Sequence, residues 1–158
     1  MNKIPCNIEG VSIFELDSHK DGRGWLIELF RSDEIPDGFI PEMSYVSLTY
    51  AGQTRGPHEH KKQTDYFCMI GPAEFEIYMW DNRAESPSFK EKFNIKSGRD
   101  RKTAIIIPPG VVHGYKNIDR IDGYIINFPN RLFAGKDRRE PIDEIRYENS
   151  PESGYIID

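Results

Sequence analysis

Residues 52–71 read GQTRGPHEHKKQTDYFCMIG, and this stretch decides how the rest of the chain is interpreted. It carries two histidines, His58 and His60, separated by a single residue. In an extended strand, side chains two positions apart point to the same side, so both imidazoles should face one surface. A second stretch, AIIIPPGVVHGYKN at 104–117, brings His113 after a proline–glycine turn. Three of the four histidines therefore fall in two marked settings, which predicts a functional site.

Length and composition favour one folded domain. The chain has 158 residues, of which 37% are hydrophobic and 12% aromatic. A chain of this size can bury a core without disulfide or metal cross-links, and the composition is that of a globular protein rather than a disordered one. We expect a single domain over residues 1–158, with an N-terminal arm and a short C-terminal tail.

Charge and hydropathy argue against two classes of partner. The formal net charge is −5, whereas a nucleic-acid or membrane-surface binder needs a basic face. No apolar run approaches the roughly 20 residues of a spanning helix, and the N-terminus lacks the apolar segment of a signal peptide. Cys6 and Cys68 are the only cysteines, which favours reduced thiols in the cytoplasm. We expect no nucleic-acid partner and no membrane partner.

Short apolar runs separated by turn residues follow one another through most of the chain. Many such runs at close spacing are typical of an all-β sandwich or barrel. Besides the strand with the histidine pair, the predicted strands cover 11–16, 23–30, 44–52, 65–70, 73–81, 89–95, 103–107, 111–115 and 123–128. The tail after Pro129 is polar, and its pattern allows at most one short helix, at 141–147.

Two spaced motifs make the fold prediction more specific. The first consists of Gly52, His58, His60, Asp65 and Gly71, and the second of Pro108, Gly110, His113 and Asn117. Together they resemble the two sequence motifs of the cupin superfamily. The resemblance implies a cupin double-stranded β-helix, which is a jelly-roll barrel with a pocket inside. It identifies a fold more securely than a function, because one fold hosts many chemistries.

Within that superfamily the chain resembles the dTDP-4-dehydrorhamnose 3,5-epimerases and related nucleotide-sugar epimerases. The segments that carry the resemblance are DGRGWLIELF at 21–30, TRGPHEH at 54–60, WDNRAESPSF at 80–89, IPPGVVHGY at 107–115, NFPNRLF at 127–133 and PIDEIRYE at 141–148. The resemblance implies a nucleotide-4-keto-sugar epimerase of deoxysugar or polysaccharide biosynthesis. It further implies a nucleotide-sugar substrate, no cofactor and a homodimer.

The resemblance also assigns roles to individual residues. It points to His58 as the base that removes a proton next to the C4 ketone of the sugar. Histidine suits that task because its pKa lies near neutral pH. The same comparison places Arg23, Glu28 and Arg55 on the nucleotide, with Glu28 reaching from the partner subunit.

Departures from the family pattern narrow the expected reaction. Asp65 stands at or near the position of the lysine that helps to stabilise the enolate, and Ile126 aligns with the tyrosine that serves as general acid. We therefore expect single-site epimerisation rather than double epimerisation. Tyr115 and Tyr124 are expected to contact the substrate. Together with Lys61, they are candidates to replace the missing groups.

A related activity fits the histidine pair as well. The string RGPHEHK also resembles the motif of the sugar-nucleotide 3,4-ketoisomerases, which use paired histidines, so His60 joins His58 as a candidate catalytic residue. A neighbouring carboxylate would orient the base and stabilise its charged form. We expect Asp143 or Glu148 of the tail in that role, with Asp143 preferred.

Two alternatives from other classes remain open at the level of sequence. His58, His60, Asp65 and His113 fill the positions of the cupin metal ligands, and imidazoles with a carboxylate suit Zn, Mn, Fe or Ni. Asp in place of the usual Glu shortens the fourth ligand by one methylene. The other alternative is a protein that binds a sugar nucleotide without catalysis. The epimerase hypothesis, which we prefer, expects no bound metal.

Overall fold

Two antiparallel sheets make up most of the computed structural model, which describes residues 2–158. The strands are β1 Asn2–Ile4, β2 Ser12–Glu15, β3 Ser18–Asp21, β4 Gly24–Ile27, β5 Tyr45–Thr49, β6 Thr54–Glu59, β7 Asp65–Gly71, β8 Phe75–Asp81, β9 Lys92–Ser97, β10 Thr103–Ile107, β11 Val111–Asn117, β12 Gly123–Asn127 and β13 Ile145–Arg146. The first sheet runs β1-β2-β10-β7-β12-β5 and the second β13-β6-β11-β8-β9, while β3 and β4 form a hairpin. The predicted all-β jelly-roll class is confirmed. That it forms a single domain stays a prediction.

The main core fills the space between the two sheets. Strand β8 shows why, since Phe75, Ile77 and Met79 alternate with more polar positions and all three are buried. Side chains on one face of a strand recur every second residue, so one face of each sheet supplies the core. The facing residues include Ile13, Phe67, Met69, Ile105 and Ile125 from the first sheet and Val111 and Tyr115 from the second.

The outer face of each sheet is covered by a different part of the chain. Tyr66, Cys68 and Ile106 of the first sheet pack against the segment 27–39 that follows the β3–β4 hairpin. On the second sheet, Tyr78, Trp80 and Val112 form a cluster that is covered by Tyr147, Tyr155 and Ile157 of the C-terminal tail. The tail is therefore part of the packed structure.

The short helix that the sequence allowed at 141–147 does not form. That segment is extended, and Ile145–Arg146 pairs with β6 as the edge strand β13. Local sequence could not show this, because the pairing joins residues more than 80 positions apart and tertiary contacts override weak local preference. The tail contains only two short 3₁₀ turns among its described residues, Lys136–Arg138 and Pro151–Ser153. No helix in the described part of the chain is long and apolar enough to cross a membrane.

A buried carboxylate organises the turn between β8 and β9. Asp81 accepts hydrogen bonds from Nε and Nη2 of Arg83, both at 2.8 Å, and from the hydroxyls of Ser86 and Ser88 at 2.5 and 2.6 Å. Burial on its own would raise the pKa of Asp81, but these hydrogen bonds outweigh it and hold that pKa well below its usual range. Asp81 therefore stays ionised in the folded chain.

This arrangement predicts acid sensitivity. The pKa of Asp81 is lower in the folded chain than in the unfolded chain, so its stabilising contribution is complete above about pH 5 and is lost as the pH falls further. Below about pH 4 the unfolding free energy should fall by about 1.4 kcal/mol per pH unit from this group alone. Urea unfolding between pH 6 and pH 3 would measure the slope, and Asp81→Asn should reduce it. An unchanged slope in that variant would contradict the prediction.

Candidate active site

Three imidazoles meet at one end of the space between the sheets. His58 and His60 lie on β6 and its C-terminal end, and His113 lies on the neighbouring strand β11. The ring centroid of His58 is 5.3 Å from that of His60 and 4.5 Å from that of His113. His58 and His60 line the same pocket, as their spacing predicts.

A glycine allows β6 and β11 to approach closely at this point. His113 pairs directly with His58 across the two strands, and the register shifts just beyond. Gly56 has a φ of +81°, and a Cβ at this position would lie 2.8 Å from the carbonyl oxygen of His113 and 3.2 Å from Nδ1 of His58. Since only glycine adopts such a backbone without a steric cost, Gly56 brings the two histidines together.

Asp65, at the start of β7, lies beneath the imidazoles and is 1% exposed. Its Oδ2 is 3.1 Å from Nε2 of His60 and 3.2 Å from Nε2 of His113. Its Oδ1 accepts hydrogen bonds from Gln63 and Asn127 at 2.9 and 2.7 Å. Burial alone would raise the pKa of Asp65, but the hydrogen bonds from His113 and His60 lower it, so the carboxylate is ionised.

His60 has an acceptor at each ring nitrogen. Its Nδ1 contacts the backbone carbonyl of Asp143, and its Nε2 faces the Asp65 carboxylate. Although burial opposes protonation, these partners raise the pKa of His60 above its ordinary value. The amide nitrogen of Gln63 also lies 3.2 Å from Nε2 of His60. The raised pKa favours protonation of the His60 ring, and a protonated His60 would form an ion pair with Asp65.

His113 is held differently. Its Nδ1 lies 2.9 Å from the carbonyl oxygen of Val111, to which it donates a hydrogen bond. Its Nε2 lies near Oδ2 of Asp65, yet neither atom has a well-aligned hydrogen bond, and both are buried. Buried polar atoms without a partner are costly, so this pair of atoms calls for a proton, a water molecule or a cation between them.

His58 is the neutral member of the group. Burial and, to a lesser extent, the neighbouring His113 and His60 lower the pKa of His58 to about 2. The nearest carboxylate is that of Glu144, with Oε1 3.9 Å from Nδ1 of His58. This distance is longer than a hydrogen bond, but a small side-chain shift would close it. His58 is therefore uncharged in the substrate-free site, and taking up a proton there needs a partner such as the Glu144 carboxylate to close onto its Nδ1.

The carboxylate beside His58 was not found from the sequence, which pointed to Asp143 or Glu148. The Asp143 carboxylate instead accepts hydrogen bonds from the backbone N–H groups of Lys61, Lys62 and Gln63 at 3.0, 2.8 and 2.9 Å. It fixes the loop after the histidine pair and does not orient His58. Only the pairing of β13 with β6 reveals that Glu144 takes that place.

The pocket above the histidines has a volume of about 900 Å³ and opens between the sheets and the tail. Arg55 and Tyr115, both predicted substrate contacts, line it. The Arg55 guanidinium donates to the Thr49 hydroxyl at 3.1 Å and to the Leu48 carbonyl at 2.9 Å. Further cationic residues that the sequence analysis did not assign also line the pocket, namely Arg131, Lys136, Arg138 and Arg146.

Three predicted site residues do not line the pocket of their own chain. Arg23 lies in the β3–β4 hairpin, where its side chain is 91% exposed and pairs with Asp21. Glu28 forms an ion pair with Arg31 at 3.2 Å. Tyr124 lies on β12 with 47% of its surface exposed. The structure therefore does not bring these residues to His58 within one subunit.

The position of the general acid also needs revision. Ile126, aligned with the family tyrosine, packs on the outer face of the first sheet, so a side chain there cannot reach the pocket. The pocket does contain a phenol that the sequence analysis missed, that of Tyr45, whose oxygen accepts a hydrogen bond from Asn127 at 3.0 Å. Burial raises the pKa of Tyr45 to about 12, which keeps it protonated.

The sandwich of two antiparallel sheets and the histidine-lined pocket at one end define a jelly roll of the cupin type. A family model described as dTDP-4-dehydrorhamnose 3,5-epimerase matches residues 5–126. The chain belongs to this family, whose members are sugar-nucleotide epimerases, and the resemblance noted in the sequence is confirmed.

Individual relatives agree with this assignment. The chain is 38% identical over 136 residues to the probable low-salt glycan biosynthesis epimerase Agl13 of Haloferax volcanii, covering 85% of this chain and 86% of the relative. It is 34% identical over 141 residues to the spore coat polysaccharide biosynthesis protein SpsL of Bacillus subtilis, covering 87% and 91%. The crystal structure of ChmJ, a 3'-monoepimerase from Streptomyces bikiniensis, has the same fold, with a TM-score of 0.80 at 22% identity and coverage of 96% and 76%.

Proposed function

We propose that this chain is a nucleotide-4-keto-sugar epimerase that exchanges a proton at one carbon next to the ketone, in the biosynthesis of a glycan or polysaccharide. The observation that carries the proposal is the neutral imidazole of His58 in a cation-lined pocket, with the Glu144 carboxylate 3.9 Å from its Nδ1. Family membership and the two curated relatives, both named for polysaccharide or glycan biosynthesis, support the same assignment.

In this mechanism His58 removes the proton from the carbon next to the ketone. The C–H bonding electrons move into the enolate, and the proton is held on the free nitrogen of the imidazole. The resulting imidazolium is stabilised when its Nδ1–H closes onto Glu144, as in other histidine–carboxylate pairs. Hydrogen bonds of this kind are often long in a substrate-free site and shorten in the reacting complex.

The enolate needs a positive charge nearby and a source of a proton. His60, held as an imidazolium by Asp65, supplies the charge that a lysine gives in the family pattern. Reprotonation from the same face by His58 would return the substrate, so inversion needs a donor on the other face. We assign this role to Tyr45, whose phenol lines the pocket and carries a proton at neutral pH.

For nucleotide binding we assign Arg55 to the diphosphate. It lines the pocket and keeps donors available on a planar guanidinium, which matches phosphate oxygens well. The cationic residues at 131–138 lie on the same rim and add favourable charge. The ligand proposed for this rim is a nucleoside diphosphate sugar.

We further propose a homodimer in which Arg23 and Glu28 act on the partner's pocket. Strand β5 is the edge of the first sheet and exposes Val46 and Leu48 by 63% and 39%, and Tyr50, directly after it, is 65% exposed. An open apolar edge of this kind favours association with another chain. The exposed β3–β4 hairpin can then extend beyond its own subunit.

We also assign the protein to the cytoplasm, which its two free thiols support.

Arg55→Ala should weaken nucleotide binding by about 1.5–3 kcal/mol, the usual worth of a charge-assisted hydrogen bond. Titration calorimetry with dTDP and other nucleoside diphosphates would measure the change. Arg99→Ala is the control, because Arg99 pairs with Asp119 on the surface outside the pocket. Equal binding by Arg55→Ala and wild type would contradict the assignment, and no binding of any nucleotide by wild type would remove the sugar-nucleotide proposal.

The reaction itself is tested by solvent exchange. A panel of nucleotide 4-keto sugars is incubated with the protein in deuterated buffer, and loss of the proton signal next to the ketone is followed by NMR. Exchange with inversion at the carbon indicates epimerisation, and movement of the ketone indicates 3,4-ketoisomerisation. Exchange without a change of configuration indicates proton transfer without either reaction. A panel that shows no exchange with any sugar would overturn the proposal.

A second candidate is a metal-dependent cupin, and one observation favours it. The ligand atoms of His58, His60, Asp65 and His113 all lie within 4.8 Å of one another, and two of them, on Asp65 and His113, are buried without an aligned partner. The residues therefore fit a divalent transition metal, which would supply Lewis-acid activation of a bound carbonyl. Elemental analysis of the purified protein separates the candidates, since about one metal per chain is expected only for the second.

A further inference from the structure

The carboxylate of Glu144 is placed by a very short strand. β13 contains only Ile145–Arg146, and its register is Ile145 against Glu59 and Arg146 against His58. One more backbone bond, from the Tyr147 N–H to the Pro57 carbonyl at 2.9 Å, extends the pairing. A pairing this short does not by itself fix the register, and a slip of one residue would turn every side chain to the other face.

The segment 143–157, which we name the C-terminal strap, has different contacts on its two faces. Glu144 and Arg146 face the pocket, whereas Tyr147 packs on the outer aromatic cluster. Glu144 and Tyr147 are three residues apart, so in an extended segment they point to opposite sides. Whatever fixes Tyr147 on the outside therefore also fixes which carboxylate reaches His58.

One partly buried hydrogen bond fixes Tyr147. Its hydroxyl donates to Oε1 of Glu59 at 2.5 Å, and the same oxygen accepts from Nδ2 of Asn82 at 2.9 Å. Glu59 is only 6% exposed and belongs to β6, between the two histidines that face the pocket. The bond thus joins the outer face of the histidine strand to the outer face of the strap.

Aromatic packing holds the same residue from the other side. The rings of Tyr147 and Tyr155 are 4.9 Å apart, and that of Tyr155 is 5.7 Å from Trp80. A Cβ at Gly114 would lie 2.5 Å from Cδ1 of Ile157, so the end of the strap rests directly on β11. Neither the aromatic packing nor the Glu59 bond touches the pocket.

We propose that Tyr147 and Glu59 are positioning residues, whose partly buried hydrogen bond locks the register of the strap and so holds Glu144 near His58. The inference rests on the proposed function only for the role of Glu144 in proton transfer. That the hydrogen bond fixes the position of Glu144 does not depend on this role. Because the Tyr147–Glu59 hydrogen bond lies outside the pocket, it should influence His58 without contacting the substrate.

The kinetic test compares Tyr147→Phe, Glu144→Gln and the double variant. Positioning residues of this kind are worth about 10–100-fold, so Tyr147→Phe should lower kcat about tenfold while KM stays within about twofold. If Tyr147 acts through Glu144, the double variant should be no slower than Glu144→Gln alone. If instead the two reductions of kcat multiply in the double variant, Tyr147 does not act through Glu144, and the proposal is overturned.

The matched control is Tyr155→Phe, which removes a hydroxyl from the neighbouring ring of the same cluster and should leave kcat unchanged. Should Tyr147→Phe not fold, Tyr147→Phe with Glu59→Gln removes the hydroxyl together with the charge that it paired with. The amide oxygen of the new side chain can still accept the hydrogen bond from Asn82, so no donor is left without a partner.

A second measurement needs no substrate. NMR spectra of protein with isotope-labelled histidine report the surroundings of the His58 ring. Tyr147→Phe should shift the His58 signals in the same direction as Glu144→Gln, whereas Tyr155→Phe should leave them in place. Unchanged His58 signals in Tyr147→Phe would overturn the proposed positioning role of Tyr147. Absence of turnover by wild type would instead remove the proposed function, and the spectra would still decide where Glu144 is held.

Discussion

His58→Asn is expected to abolish proton exchange from a 4-keto-sugar nucleotide, with a loss of at least about 10³-fold. Asparagine keeps a polar contact in the pocket, but its amide cannot take up a proton near neutral pH. Nucleotide affinity should stay within about twofold of wild type, because the base contacts the sugar and not the diphosphate. Solvent exchange followed by NMR measures the first quantity, and calorimetry with dTDP measures the second.

The control for this experiment is His19→Asn. His19 lies in the exposed β3–β4 hairpin, so its replacement should not alter exchange. The position of exchange carries further information, because one base reaches one site well. We expect exchange at C3 to be fast and exchange at C5 to be slow or absent. Equal, rapid exchange at both carbons would show that the site removes protons at two positions, and the single-site proposal would be wrong.

The fold could be predicted from the sequence because its signals are local or closely spaced. The alternation of Phe75, Ile77 and Met79 along β8 is typical of a strand with one buried face. The two histidine motifs predicted the jelly roll. The spacing of His58 and His60 also placed both rings on one surface, since side-chain direction in a strand depends only on the number of residues between them.

The parts of the site that could not be predicted depend on contacts between distant segments. Glu144 meets His58 only because residues 145–146 pair with β6, and the tail sequence on its own allowed a helix. Tyr45 reaches the pocket because β5 lies beside β12, where it faces Asn127. Residue 126 packs on the outer face of the first sheet, which its alignment with the family tyrosine could not show, because adjacent residues of a strand face opposite sides.

The ion pair beneath the histidines explains how a carboxylate can stand where the family has a lysine. In the proposed mechanism Asp65 does not contact the sugar. Its carboxylate favours a proton on His60, so that the cation beside the enolate is an imidazolium. The positive charge required for an enolate is then supplied by a pair of residues, with the carboxylate on the far side of the ring. This arrangement depends entirely on Asp65 being ionised and well held.

Asp65→Asn is accordingly the variant with the largest expected effect on both stability and activity. Removing one partner of a buried ion pair costs about 3–5 kcal/mol, and we expect the lower end, about 3 kcal/mol, because His60 can lose its proton. The melting temperature should then fall by roughly 6–12 °C. Exchange should fall at least about tenfold at a temperature where the variant is folded, because neutral His60 no longer stabilises the enolate.

Asp81→Asn provides the matched control for this variant. It also removes a buried, hydrogen-bonded carboxylate, but its partners lie in the β8–β9 turn, away from the histidines. Both variants should therefore lose stability, and only Asp65→Asn should lose exchange. Chelation distinguishes the metal candidate in the same experiment. If EDTA lowers the melting temperature of wild type and not that of Asp65→Asn, and metal is stoichiometric only in wild type, Asp65 is a metal ligand and the ion-pair account of His60 is wrong.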